Sequence, residues 1–132
     1  MKDIVLIVSV LIFIMSCKSE DNQPDCGCKG VIAFTISNSD QQIGYLYSST
    51  SGQNDNLPEY NYGIWFDEIE CGNCIHKFLV CNDNFLSDFG DIPPYPGIKV
   101  EFSGDVKYLC KNISSPADYT YNYLIITKIE KQ

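Results

Sequence analysis

Ile98-Lys99-Val100-Glu101-Phe102-Ser103-Gly104-Asp105-Val106-Lys107-Tyr108 is the stretch whose reading decides the fold. Apolar and polar residues alternate over its first half, placing Ile98, Val100 and Phe102 on one face and Lys99, Glu101 and Ser103 on the other. Successive side chains of a strand point to opposite faces, so the pattern describes a half-buried strand. Gly104 breaks the alternation, and Val106 and Tyr108 resume it.

Upstream, Asp91 to Gly97 carries Pro93, Pro94 and Pro96 and reads as an extended loop. Asn82 to Gly90 reads as one helical turn, with an Asn or Asp cap and a glycine stop. Ile75 to Cys81 is a strand, reached from a strand at Tyr60 to Ile69 through the tight turn Cys71-Gly72-Asn73-Cys74. Gly63 is expected to bend or bulge that earlier strand. Ser49 to Glu59 is a long loop rich in Ser, Gly, Asn, Asp and Pro. Val31 to Ile36 and Ile43 to Ser48 read as strands joined into a hairpin across the polar turn Ser37 to Gln42. Downstream, Asn112 to Asp118 is a loop and Tyr119 to Ile129 a closing strand.

Short strands separated by turn signals, with no repeat and no long helix, define an all-β domain. The expectation is a small antiparallel β-barrel or a β-sandwich with one short helical turn. The order of elements resembles an OB-fold: strands, a helical turn after the fourth, a glycine-punctuated strand and a final strand. That resemblance rests on element order and covers most of residues 26–132.

The N-terminal segment points to location. Lys2 precedes Ile4 to Met15, apolar apart from Ser9. As a helix this run reaches about 18 Å, too short for a hydrocarbon core of about 30 Å but suited to the apolar part of a signal peptide. Ile14-Met15-Ser16-Cys17 resembles the lipobox of bacterial lipoproteins, which implies cleavage after residue 16 and fatty acylation of Cys17. Two or more acyl chains anchor a protein stably without spanning the bilayer. Lys18-Ser19-Glu20-Asp21-Asn22 resembles the export signal of surface lipoproteins in Bacteroidota. The expected division is therefore a signal peptide over 1–16, an acylated cysteine and polar tether over 17–25, and one folded domain over 26–132. The expected site is the outer membrane, with exposure at the cell surface favoured.

The chain has 132 residues and a formal charge of −8. Lys2 and Asp3 cancel, so loss of the leader leaves that balance unchanged. An acidic chain without a basic patch argues against nucleic acid and against direct binding to anionic lipid. Membrane attachment would come from the acyl chains on Cys17.

Of the seven cysteines, Cys17 is the anchor. Cys26, Cys28, Cys71, Cys74, Cys81 and Cys110 form an even set in an oxidising compartment, which implies disulfides. A local Cys71–Cys74 link is expected, with Cys26 and Cys28 tied to the strands around Cys81 and Cys110. Cys71-x-x-Cys74 also has the spacing of a redox pair, but that chemistry favours a helix N-terminus, and a strand follows here. Cys26-x-Cys28 with Cys71-x-x-Cys74 could supply four thiolates to zinc, with His76 as a further ligand, although exported thiols tend to oxidise instead. Asp83, Asp88 and Asp91 do not follow the EF-hand spacing. No metal, cofactor or catalytic constellation is expected.

Nine tyrosines and one tryptophan exceed what a small core needs. Tyr45 and Tyr47, Tyr60 and Tyr62, and Tyr119, Tyr121 and Tyr123 recur at spacing two, so each set falls on one strand face. With Trp65 they form a candidate ligand face for a glycan or a protein, or a set of cross-strand pairs that stabilises the sheet. The functional expectation is a lipid-anchored, non-catalytic binding or structural module. The alternatives are a thiol-disulfide protein using Cys71 and Cys74, or an immunity or inhibitor lipoprotein.

Overall fold

The structure, a computed structural model, describes residues 24–49, 57–114 and 118–132. The leader, Cys17 and the tether up to residue 23 lie outside them, as do parts of the loops after β2 and β5. Six strands are formed: β1 (Ile32–Ile36), β2 (Gln42–Ser48), β3 (Tyr62–Asp67), β4 (Ile75–Val80), β5 (Ile98–Lys107) and β6 (Tyr119–Lys131). Five of them close a barrel, in the order β5–β2–β3–β4–β6 and back to β5, with β1 added along β5. The small OB-like barrel expected from element order is the fold.

One pairing departs from the antiparallel expectation. β4 and β6 run parallel, Ile75 opposite Tyr119 through Val80 opposite Leu124, so the barrel is mixed. Parallel neighbours need a long crossover, and β5 with its flanking segments provides it.

β1 and β2 do not form a hairpin. Both run antiparallel to β5 along the same edge, with Ile36 opposite Gly104 and Gln42 opposite Phe102. The polar residues between them make a 3-10 turn, Asn38–Asp40, that steps aside without reversing the chain. The Ser37 side chain accepts from the Ser39 amide, and the Asp40 carboxylate accepts from the Ser37 amide at 2.7 Å. This reciprocal capping closes the turn on itself.

That turn explains a second correction. Ser103, expected outside, is only 2 % exposed. Its hydroxyl donates to Asn38 Oδ1 and lies 3.1 Å from Thr127 Oγ1. A buried hydroxyl needs such partners. β5 also continues as one strand through Gly104, where a Cβ would run into the Ile125 carbonyl. The irregularity lies in β6, where Ser103 faces Lys128 but Gly104 faces Ile126, leaving Thr127 without an opposite residue. This bulge shifts the inward phase of β6, so that Leu124 and Ile126 and then Ile129 meet the core.

The interior is filled by Leu46, Ile64, Phe78, Val80, Val100, Phe102, Val106, Leu124 and Ile126. A 3-10 helix, Asp83–Phe89, contributes Leu86 from one end. Asn82 holds this helix to β6, donating to the Ile126 carbonyl and accepting from the Ile126 amide. Beyond β5, Tyr108 is half exposed instead of resuming the inward pattern. The N-terminal segment is pinned at two strand ends, by Cys26–Cys110 and Cys28–Cys81. Buried Lys107 donates to the Gly30 carbonyl at 2.7 Å and seals the same junction.

Candidate functional site

Residues of opposite phase to the core build the outer wall of β2, β3, β4 and β6. Pairing places Tyr45, Trp65, Lys77 and Tyr121 in one row across the four strands. Tyr47, Gly63, Leu79 and Tyr123 form the next row. Tyr119 stands one step beyond Tyr121 on the same face, opposite Ile75.

In the second row, Gly63 makes no bulge, since its register with both neighbours is unshifted. A Cβ there would strike the ring of Tyr47, which lies across the glycine. Tyr47 is 2 % exposed, and its hydroxyl lies 3.3 Å from that of Tyr60. Burial, then the bond to Tyr60 and the neighbouring phenols, push its ionisation far above the usual tyrosine range.

The proline-rich segment folds onto this wall. The Ser48 amide donates to the Pro93 carbonyl, and Trp65 Nε1 donates to the Pro96 carbonyl, each at 2.9 Å. Tyr95 is thereby set against Trp65 (ring centres 5.4 Å apart) and edge-on to Tyr47 (6.1 Å). Tyr45 stacks on Trp65 at 4.7 Å. The β2–β3 half of the wall is thus an aromatic ladder whose rings are spent largely on one another.

The β4–β6 half differs. The Lys77 ammonium sits 5.5 Å from the ring centre of Tyr95 and 5.3 Å from that of Tyr119. Such placement is favourable. Among the described residues the ion pairs are His76–Glu68 and Lys128–Glu130, and Lys77 belongs to neither. Desolvation lowers its proton affinity, while burial raises that of Tyr121 and Tyr123. Tyr121 stacks on no other ring among the described residues. Beside it lies a cleft of about 230 Å³ lined by Tyr108, Lys111, Asn112, Tyr119 and Tyr121 among others. A second, wider polar cleft, lined by Ser48, Asn61, Asp83 and Ser87 among others, lies where the start of β3 meets the 3-10 helix.

The structure therefore gathers Tyr45, Tyr47, Trp65, Tyr119, Tyr121 and Tyr123 on one wall, with Tyr60 joined through Tyr47. Tyr62 does not belong there. It opens β3 in phase with Ile64 and packs against the core, whereas Tyr60 precedes the strand, so spacing two does not align them. Sequence reasoning missed Tyr95 and Lys77 as face residues. The available signals were an aromatic residue flanked by prolines and a lysine whose strand phase matches Leu79.

Cys71 and Cys74 are bonded to each other at the β3–β4 tip. The Cys71 amide donates to the Glu68 carbonyl, and the Glu68 amide to the Cys74 carbonyl, so a hairpin and not a helix N-terminus holds the pair. The zinc set considered from spacing is split among three disulfides, and the described residues hold no group of three or more His, Cys, Asp or Glu placed to bind a metal. His76 has both ring nitrogens engaged, Nδ1 at 2.6 Å from Thr120 Oγ1 and Nε2 at 3.3 Å from Glu68 Oε2, and it stacks on Phe66. It clasps the hairpin tip to β6. Of the acidic stretch, Asp83 accepts from Asn61 Nδ2 at 2.5 Å. Neither the family models nor the curated proteins compared with the chain give a match, so the functional reading rests on this wall itself.

Proposed function

We propose that this chain is a lipid-anchored, extracytoplasmic binding module without catalysis, which holds its ligand on the outer wall of β2, β3, β4 and β6. The observation that carries this reading is the row Tyr45–Trp65–Lys77–Tyr121 on the outside of a barrel whose interior is already filled. Large aromatic rings give much contact area at little conformational cost. The packed half supplies rigidity, and the half beside it supplies open polar and aromatic groups. OB-type barrels commonly bind oligosaccharides or oligonucleotides through their strand faces and adjoining loops, which raises the prior for this wall by analogy. The acidic balance of the chain favours saccharides over nucleic acid.

Anchoring on Cys17 follows from the lipobox-like leader, and the outer membrane, with the cell-surface face favoured, from the residues after it. Metabolic labelling with a fatty acid tests the anchor: label is expected on the wild type and lost in Cys17→Ala, with release from the membrane fraction. Label that persists in the variant contradicts it. Capture on a glycan array tests the face. Wild-type binding is expected to vanish in Tyr121→Ala while the fold is retained, and binding unaffected by that change contradicts the assignment. A thiol-disulfide role would require Cys71–Cys74 to be reduced readily under mild conditions, whereas an inert bond is expected.

A further inference from the structure

We propose that the wider polar cleft, between the end of β2, the start of β3 and the 3-10 helix, is a second binding site that takes one neutral sugar residue. This goes beyond the reading of the outer wall and stands without it, since wall and cleft share no residue.

The first reason is that the cleft is built and held open by three elements. Its volume is about 620 Å³, within the range of about 300–1,000 Å³ usual for small-ligand sites. Ser48 pairs with Tyr62 across β2 and β3, and just beyond the strands the Ser49 amide donates to the Asn61 carbonyl at 2.7 Å. Asn61 Nδ2 donates in turn to Asp83 at 2.5 Å, which ties this corner to the helix. The helix is itself anchored to the barrel, because Asn82 bonds twice to Ile126 and Leu86 is buried in the core. A site fixed in this way loses little conformational freedom when it is filled.

The second reason is the chemistry of the lining. It offers hydroxyls from Ser48, Ser49 and Ser87 and amides from Asn61 and Asn84, around the single carboxylate of Asp83. Hydroxyls and amides both donate and accept, which matches a ligand whose own hydroxyls do both. A carboxylate accepts from such a hydroxyl more strongly than a neutral group does. Half-buried Tyr62, packed against the core, adds apolar surface for the C–H face of a pyranose. An anion fits poorly, because the described lining holds no lysine, arginine or histidine and Asp83 would repel it. A metal ion fits poorly as well, since no group of three or more His, Cys, Asp or Glu is placed to bind one among the described residues.

The test is an amide NMR titration of the purified protein with the neutral methyl glycosides of glucose, galactose, mannose and N-acetylglucosamine. At least one is expected to move the signals of residues 48, 49, 61, 62, 83, 84 and 87 saturably, with a dissociation constant of about 1 mM. Binding of that strength does not survive the washing of an array, so it is read in solution. Asp83→Ala should weaken it by about tenfold, through the loss of one charge-assisted bond. Ser87→Ala removes one exposed hydroxyl and should weaken it by about threefold, which keeps the test decisive if Asp83→Ala loosens the helix. No shift of these signals at about 10 mM glycoside, or binding unchanged in both variants, would overturn the site. Shifts confined to Tyr45, Trp65, Tyr121 and their strand neighbours would overturn it and leave the outer wall standing. Glucuronate, glucosamine or calcium chloride binding there more tightly than every neutral glycoside would overturn it in favour of a charged ligand.

Discussion

Two outer walls of one barrel face the solvent with different chemistry. On β5 the outward side chains are Lys99, Glu101 and Asp105, the polar set that water demands of a half-buried strand. On β2, β3, β4 and β6 the same positions carry Tyr45, Tyr47, Trp65, Lys77, Leu79, Tyr121 and Tyr123. The two walls share one core, in which Phe78 and Phe102 already fill the centre, so core demand does not account for the second. What the contrast teaches is that its aromatics serve the outside. Tyr47, packed against Tyr95 of the proline-rich segment, and Leu79 are buried and give that wall its base, and the β4–β6 flank stays open.

The largest effect expected from breaking this contrast lies inside. Phe102→Ala should lower unfolding free energy by about 3–5 kcal/mol, because it removes a fully packed ring and leaves a cavity. Tyr121→Ala, on the open flank, should cost less than about 1 kcal/mol and act on ligand binding instead. Urea denaturation of both variants checks the pair. A comparable loss from Tyr121→Ala would mean that this residue is structural after all.

Next come the disulfides, which also contrast two regions. Cys28–Cys81 closes a separation of 53 residues and Cys71–Cys74 one of 3. Loop-closure entropy assigns about 4 kcal/mol to the first and about 2 kcal/mol to the second. Serine replacement of each pair, followed by denaturation, should preserve that order.

Smaller still is the base of the aromatic wall. Gly63→Val would force its side chain into the Tyr47 ring, at an expected loss of about 1–3 kcal/mol from overpacking. Near-ultraviolet circular dichroism should change with it, as Tyr47 is displaced from Tyr60 and Tyr95.

The last effect is absent at neutral pH. Tyr47 ionises well above its ordinary value of 10.0 in the folded state. The unfolded chain therefore loses this proton first as pH rises, and the stability that Tyr47 contributes is full below about pH 10 and declines above it. The slope from this group approaches about 1.4 kcal/mol per pH unit. The raised values of Tyr121 and Tyr123 add in the same direction, and the lowered value of Lys77 acts oppositely below its ordinary 10.5. Tyr47→Phe should flatten the alkaline decline, and an unchanged profile would refute this origin.

The alternation in Ile98 to Phe102 exposed the inner face of β5, and the helical turn before the prolines was readable from Asn82 and its glycine stop, although Asn82 turns its side chain to β6 and does not cap the turn. Local patterning could not supply the rest. Whether Ser37 to Gln42 reverses the chain depends on self-capping by Ser37 and Asp40, which side-chain periodicity does not encode. The parallel β4–β6 pair joins segments far apart in sequence. Spacing two found Tyr45 with Tyr47 and Tyr119 with Tyr121, because those residues lie within strands. It misplaced Tyr62, because the strand begins there and Tyr60 lies before it. Lys77 gained meaning only when pairing set it between Trp65 and Tyr121.

The chain's one tryptophan, Trp65, stands in the aromatic row next to Lys77, so its fluorescence reports on the wall directly. Titrating the protein with the best-binding glycan from the array should change Trp65 emission saturably, with the same dissociation constant as calorimetry, and the change should disappear in Tyr121→Ala. Binding by calorimetry with Trp65 emission unaltered, and with Tyr121→Ala binding as the wild type does, would contradict the claim that this wall is where the protein holds its ligand.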